Sequence, residues 1–167
     1  ERSRRQRQMC IRDSSLGLAV SSESIDISGE ATFIEVNLRH ANDLITPLAA
    51  LLALGGGGSI IGAEHAAFKE TDRTHGTTAL LAQFGLRSTF ENGILSVDGA
   101  QSVTSPEGLV RTFGDHRMQM TALVLAMVCD GDVLVEGSDL HEVADPEAVQ
   151  RWRDAGVVID AVLHQPQ

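Results

Sequence analysis

The sequence has little of what cross-links a protein or anchors it in a membrane. Only two cysteines, Cys10 and Cys129, occur among 167 residues, and we interpret Cys129 as a plain core thiol at the end of an apolar helix. The longest apolar segment, residues 44–54, contains Thr46 and Pro47 and stops at four glycines, whereas a membrane helix needs about 18 apolar residues. We therefore expect a soluble, cytoplasmic protein without a membrane segment.

Positive charge is scarce and unevenly distributed. The chain has 13 basic and 23 acidic residues, a formal net charge of −10. Residues 1–14 hold five arginines and two acids, which leaves eight basic and 21 acidic residues, a net −13, in the remainder. A surface this acidic repels phosphates of DNA and RNA, so we do not expect a nucleic-acid partner.

Residues 1–14 differ from everything that follows. They are rich in arginine and glutamine, lack periodicity, and resemble a translated adaptor sequence. A basic targeting arm is the alternative, but no apolar face accompanies the arginines. We expect a disordered, non-native tail at 1–14, followed by a partial carboxyl-terminal domain at 15–167.

From residue 15 the pattern of predicted elements repeats after about 70 residues. Gly17, Gly85 and Gly156 lie 68 and 71 residues apart, and each follows a helical segment and precedes an apolar strand, as a helix C-cap glycine does. Each copy contains a strand pair, a helix, a short strand and a second helix, and Asn92-Gly93 predicts a hairpin turn in the second copy. This order is typical of an α/β or α+β fold.

The predicted helices and short strands have definite limits. We expect aspartates, Asp43 and Asp115, at the starts of two helices, and Gly76 inside a third. An apolar stripe on the helix that starts after Asp115 is formed by Met118, Thr121, Ala122, Leu125 and Val128. The predicted helices cover residues 44–54, 69–84, 116–128 and 146–155, and the short strands cover residues 59–61 and 133–136.

Two of these helices begin with cations, which the helix dipole disfavours by roughly 0.3–1 kcal/mol each. His116 and Arg117 start one helix, and Lys69 and Arg73 start another, one turn apart on the same face. An anion bound at these helix starts would turn each penalty into an attraction. Glu70 is placed to orient the Arg73 guanidinium or to exchange protons. The alternative is a set of solvated ion pairs, in which Glu70 and Asp72 offset Lys69 and Arg73.

Three segments carry a resemblance to a known family. Residues 69–73, K-E-T-D-R, resemble the K-E-[ST]-D-R helix of the 5-enolpyruvylshikimate-3-phosphate synthases. Residues 114–120, G-D-H-R-M-Q-M, resemble that family's G-D-H-R-M-A-M helix, and residues 42–50 are similar to its D-x-x-P-x-L-A segment. The resemblance implies a fold of two domains, each made of three βαβαββ units. This chain would hold about two of the three units of one domain.

The resemblance also implies a reaction, in which the enolpyruvyl group of phosphoenolpyruvate is transferred to the 5-hydroxyl of shikimate 3-phosphate with loss of phosphate. By motif, Asp43 would be the base at that hydroxyl and a contact to shikimate 3-phosphate. Lys69 would bind the same substrate. Glu70 would transfer protons to and from the phosphoenolpyruvate methylene group.

The remaining cations would bind the second substrate. Arg73 and Arg117 would hold phosphoenolpyruvate, with His116 beside them. No metal or organic cofactor is implied. The amino-terminal domain of the same enzyme is the implied partner, because the substrate-binding residues of that domain have no counterpart here.

The chain departs from the family pattern at two contacts. Val143 stands where the family has a lysine, three residues before a proline, and Ala67 replaces an arginine, although His65 nearby suits a polar substrate contact. Two alternatives therefore accompany the synthase interpretation. One is a non-catalytic protein that has kept the fold, and the other is a UDP-N-acetylglucosamine enolpyruvyl transferase.

Overall fold

The computed structural model describes residues 32–63 and 72–161, together with the backbone of two short strands, β1 (Leu18–Val20) and β2 (Ile25–Ile27), which pair antiparallel. The predictions for residues 1–14 and for Gly17 lie outside these residues. So do those for His65, Ala67, Lys69 and Glu70.

A four-stranded mixed sheet forms the first layer of the fold. Strand β3 runs parallel to β4, and β6 joins β4 antiparallel, so the strand order is β3-β4-β6-β5. The strands of this sheet and the helices that connect them are, in chain order, β3 (Ile34–Asn37), a 3-10 turn (Asn42–Leu44), α1 (Ile45–Leu54), β4 (Gly58–Ile61), α2 (Arg73–Gln83), β5 (Ser88–Glu91) and β6 (Ile94–Val97).

The hairpin predicted at Asn92-Gly93 is confirmed. These two residues join β5 to β6 and have φ angles of 51° and 80°. Positive φ at both central positions is what a type I′ turn requires. The predicted helix C-cap glycines are also confirmed within the described residues: Gly85 follows α2 with φ 73°, and Gly156 follows the last helix with φ 94°. A strand follows Gly85, but residues 157–161 form none, so the strand predicted after Gly156 is wrong.

A second, shorter group of elements follows the sheet. Strand β7 runs parallel to β8, with Leu109 opposite Leu134, and a helix lies between them. The elements are β7 (Leu109–Val110), α3 (His116–Ala126), β8 (Leu134–Val135), a 3-10 turn (Leu140–Val143) and α4 (Ala148–Asp154). The expected mixture of helices and strands is therefore present.

The predicted limits of helix α2 are wrong at its start. The helix begins at Arg73, because Asp72 has a non-helical ψ of 88° and caps it, accepting hydrogen bonds from the amides of Thr74 and His75. Burial alone would raise the pKa of Asp72, but its hydrogen bonds with Thr74 and His75 outweigh burial and lower it. The prediction that Lys69 and Arg73 share one face involves a residue outside the described part of the chain.

Helices α1, α2 and α3 pack against one another and build the core. Gly76 lies inside α2, where a Cβ would come within 2.4 Å of the Met118 terminal methyl group, so this glycine allows α2 and α3 to approach closely. Met118 is fully buried, as predicted, but Val128 lies beyond the end of α3 and is exposed, which contradicts its place in the apolar stripe. Cys129 is only half-buried, and burial raises the pKa of its thiol.

A convergent arginine–aspartate cluster at three helix starts

The candidate site lies where the starts of α1, α2 and α3 meet. Arg73, the first residue of α2, is buried with a side-chain exposure of 3%. Its Nε donates to Asp115 Oδ2 at 2.7 Å, and its Nη1 donates to Asp43 Oδ1 at 2.8 Å. These partners are 42 and 30 residues away along the chain. One guanidinium therefore joins all three helix starts.

Asp115 holds this arrangement on the α3 side. It is the N-cap of α3, and its Oδ1 accepts hydrogen bonds from the amides of Arg117 at 2.8 Å and Met118 at 3.3 Å. Burial alone would raise its pKa, but the hydrogen bond from Arg73 and the two amides outweigh burial and hold the pKa of Asp115 below its usual range. The sequence predicted the cap but not the ion pair with Arg73.

The same ion pairs keep Arg73 charged. Burial alone would lower the pKa of Arg73, but the hydrogen bond to Asp115 and the charges of Asp115 and Asp43 raise it. A charged group in the interior is tolerated only when such partners surround it.

Asp43 links the two arginines of the cluster. Its Oδ1 binds Arg73, and its Oδ2 lies 3.1 Å from Arg117 Nη2, while the side chain keeps 51% exposure. The prediction that Asp43 opens helix α1 needs correction. Asp43 lies in the 3-10 turn before α1, which starts at Ile45 and has no side-chain cap, because its N-cap residue is Leu44.

Arg117 is the more accessible arginine, with a side-chain exposure of 29%. Its Nη1 lies 2.6 Å from His116 Nε2. Because a guanidinium only donates, Nε2 is the acceptor, and the proton of a neutral His116 is on Nδ1. Arg73 and Arg117 thus meet at the Asp43 carboxylate, and His116 lies beside Arg117. The substrate roles of these residues remain predictions.

Buried hydrogen bonds involve the three helices that carry the cluster. The hydroxyl groups of Thr46 in α1 and Thr77 in α2 lie 2.8 Å apart. Gln119, in the position of an alanine in the family motif, is buried in α3, where its Nε2 donates to the carbonyls of Glu136 and Gly137 and its Oε1 accepts from the His141 amide. Sequence reasoning missed Gln119, although a polar residue within the apolar side of the helix was a visible signal.

The hydrogen bonds of Gln119 hold residues 136–141 against α3, and Val143 lies two residues after this segment. This residue ends the 3-10 turn Leu140–Val143, and its side chain is 74% exposed. An aliphatic side chain in open solvent cannot pair with an anion, so the position at which the family pattern has lysine contributes no charge here.

Among residues 32–63 and 72–161 no group of histidine, cysteine, aspartate or glutamate side chains is arranged to hold a metal ion. No helix in the same residues has the length and apolar character needed to cross a membrane.

The fold is that of a mixed α/β domain in which two arginines and two aspartates meet at three helix starts. The family model of EPSP synthase (3-phosphoshikimate 1-carboxyvinyltransferase) matches residues 13–152. The chain belongs to the EPSP synthase family.

Individual relatives agree with the family match. The chain is 34% identical over 131 residues to a 3-phosphoshikimate 1-carboxyvinyltransferase of Methanothermobacter thermautotrophicus, covering 77% of this chain and 30% of the relative. It is 26% identical over 146 residues to the protein of that name from Methanococcus maripaludis, covering 86% of this chain and 34% of the relative. The chain thus spans about a third of the length of the curated relatives it matches.

We predict that Asp115→Asn destabilises the fold without removing the helix cap. Asparagine caps helices about as well as aspartate, but it leaves the buried Arg73 guanidinium with a neutral partner. The free energy of unfolding should fall by about 3 kcal/mol, the lower end of the cost of breaking a buried ion pair, because Arg73 keeps its contact with Asp43. Urea denaturation measures this difference.

Asp98→Asn, which breaks the exposed pair with Arg87, is the control and should change the free energy of unfolding by less than about 0.5 kcal/mol. Equal losses of stability in the two variants would contradict a special role of Asp115.

The depressed pKa of Asp115 also predicts the direction of the pH dependence. Its contribution to stability is fully present above the unfolded-state pKa of about 3.9 and is lost as the pH falls through the lower folded-state value. The wild-type chain should therefore lose stability on acidification below about pH 4, and Asp115→Asn should lose less over the same interval. Urea denaturation between pH 3 and pH 7 tests this, and parallel curves for the two proteins would refute it.

Proposed function

We propose that this chain is part of the carboxyl-terminal domain of an enzyme that transfers the enolpyruvyl group of phosphoenolpyruvate to the 5-hydroxyl of shikimate 3-phosphate and releases phosphate. Membership of the family and the printed names of the relatives support this activity. The observation that carries it is the convergence of Arg73 and Arg117 on one point at three helix starts. Both substrates are polyanions, and arginine is well suited to phosphate and carboxylate.

The finer description of the fold belongs to the same proposal. The chain order β3, α1, β4, α2, β5, β6 is that of a βαβαββ unit. The start of the same order recurs later in the chain, where the parallel strands β7 and β8 are connected through α3, as the parallel strands β3 and β4 are connected through α1. These likenesses support repeated βαβαββ units, of which the chain would hold about two of the three in one domain. The amino-terminal domain of the same enzyme would supply the remaining substrate contacts.

We assign the two reacting roles to carboxylates. Asp43, exposed on one side of the cluster, would accept the proton of the 5-hydroxyl as its oxygen bonds to C2 of phosphoenolpyruvate. Glu70 would deliver a proton to the methylene carbon and take one back when the bond from C2 to the phosphate oxygen breaks. Lys69 would bind shikimate 3-phosphate. The roles of Glu70 and Lys69 rest on the family motif alone.

The binding roles fall to the other cations. Arg117, which is partly exposed and has His116 beside it, would bind phosphoenolpyruvate at the surface of the cluster. Arg73, which is buried, would bind the same substrate from the interior side. No metal or organic cofactor is part of the proposal. The low cysteine content is the ground for proposing a cytoplasmic location.

A second function is favoured by one specific observation. Val143 presents an exposed aliphatic side chain where the family pattern has a lysine, so one cation expected at phosphoenolpyruvate is missing. The alternative is a protein that binds the substrates without turning them over. Binding and turnover must therefore be tested separately.

For binding, we predict that Arg117→Ala weakens the affinity of the 167-residue chain for phosphoenolpyruvate by about tenfold or more, the usual effect of removing a hydrogen bond to a charged group. Amide chemical shifts of residues 114–120, followed by NMR during titration, measure the affinity. Arg87→Ala removes the same charge from an exposed pair on the sheet and is the matched control. An affinity that responds equally to both substitutions, or to neither, would count against the proposed site.

For turnover, we predict that Val143→Lys increases the rate of phosphate release at least tenfold, the lower range for a residue that supplies a proton or a charge in the transition state. The chain would replace the matching third of the Methanothermobacter relative, because the other residues of the active site are needed. Ala144→Lys, at an exposed neighbouring position, adds the same charge and is the control. An inactive chimera that stays inactive after the Val143→Lys substitution would favour the non-catalytic alternative.

A further inference from the structure

Asp43 binds the arginines of the cluster in the way that a ligand anion would. One carboxylate oxygen lies 2.8 Å from Arg73 Nη1 and the other lies 3.1 Å from Arg117 Nη2. The carboxylate is half-exposed, so it reaches the cluster from the solvent side. An anion that approaches the two arginines from solvent therefore meets the Asp43 carboxylate, which is already bound to them.

The two arginines differ in how readily they can change partners. Arg73 is held by Asp115, which is buried with 1% side-chain exposure and caps α3 at the same time. Breaking that pair would leave the buried Asp115 carboxylate without its charged partner. Arg117 has 29% exposure, and its Nη2 contact with Asp43 is open to solvent on the Asp43 side. Exchange of one anion for another is thus least costly at Arg117.

We propose that the Asp43 carboxylate acts as an internal competitor, which occupies Arg117 Nη2 in the unliganded chain and is displaced from it when a small anion binds. This inference rests on the proposed function, because it concerns the same anion site. It adds a property that the catalytic role of Asp43 does not require: removal of the Asp43 charge strengthens the binding of a small anion, although it would abolish turnover.

The test compares three forms of the 167-residue chain, titrated with phosphoenolpyruvate and, separately, with inorganic phosphate. In Asp43→Asn the competitor is neutral. In Asp98→Asn the net charge changes by the same amount at the exposed pair with Arg87, outside the cluster. We expect the dissociation constant for phosphoenolpyruvate to fall about two- to fivefold in Asp43→Asn, which is the contribution of an ion pair of ordinary strength, and to stay unchanged in Asp98→Asn.

A measurement on the wild-type chain keeps the test independent of the variants. At saturating phosphoenolpyruvate, the Cγ resonance of Asp43 in carbon-13 NMR should shift as the carboxylate leaves Arg117, whereas that of Asp98 should not. A fixed Asp43 resonance at saturation would overturn the inference even if Asp43→Asn failed to fold.

The outcomes separate this inference from the proposed function. Tighter binding in Asp43→Asn alone supports the internal competitor. Equal binding in all three forms, or an equal gain in both variants, overturns it and leaves the proposed anion site intact. An absence of binding in every form overturns the anion site itself, and with it this inference.

Discussion

The structure of the site depends on the burial of one guanidinium. Arg73 lies at the first position of helix α2, where the helix dipole opposes a positive charge, and it is almost fully buried. Both conditions are unfavourable unless anions surround it, and these come from two other helix starts as Asp115 and Asp43. Separating any of the three helices would strand a charge in the interior. The relative position of α1, α2 and α3 is therefore fixed by electrostatics as well as by apolar packing.

Gly76 contributes to the same arrangement. It lies three residues after Arg73, and Met118 lies three residues after Asp115, so the two residues meet about one helical turn behind the ion pair. A Cβ at Gly76 would come within 2.4 Å of the terminal methyl group of Met118, so the buried Met118 side chain would have to move. A glycine inside a helix costs up to about 1 kcal/mol relative to alanine. In this structure the absence of a Cβ at Gly76 leaves room for the buried Met118 side chain between α2 and α3.

Local sequence signals predicted the parts of this fold that local physics determines. Asn92-Gly93 predicted a hairpin turn, because few other residues adopt positive φ, and Asp115 predicted a helix start. The partners of Arg73 could not be predicted from spacing, since they are distant in the chain and are selected by helix packing. The start of α2 was wrong for a related reason. A cap by Asp72 and a longer helix from Lys69 are both compatible with the sequence, and only the observed bonds to Thr74 and His75 distinguish them.

The two arginines carry equal charge but are suited to different tasks. Arg73 is enclosed by carboxylates and keeps the cluster together, whereas Arg117 faces solvent and can exchange a partner. In the proposed function this chain contributes the two arginines to anion binding, and in the internal-competitor proposal the affinity depends on how strongly Asp43 competes at Arg117. The proposed turnover would in addition use the cation that the family pattern has at Val143, where this chain has an exposed aliphatic side chain. The residues proposed for binding and the position proposed for turnover lie on different elements, the starts of three packed helices and a 3-10 turn held to α3 by Gln119, so a substitution at one of them can leave the other in place.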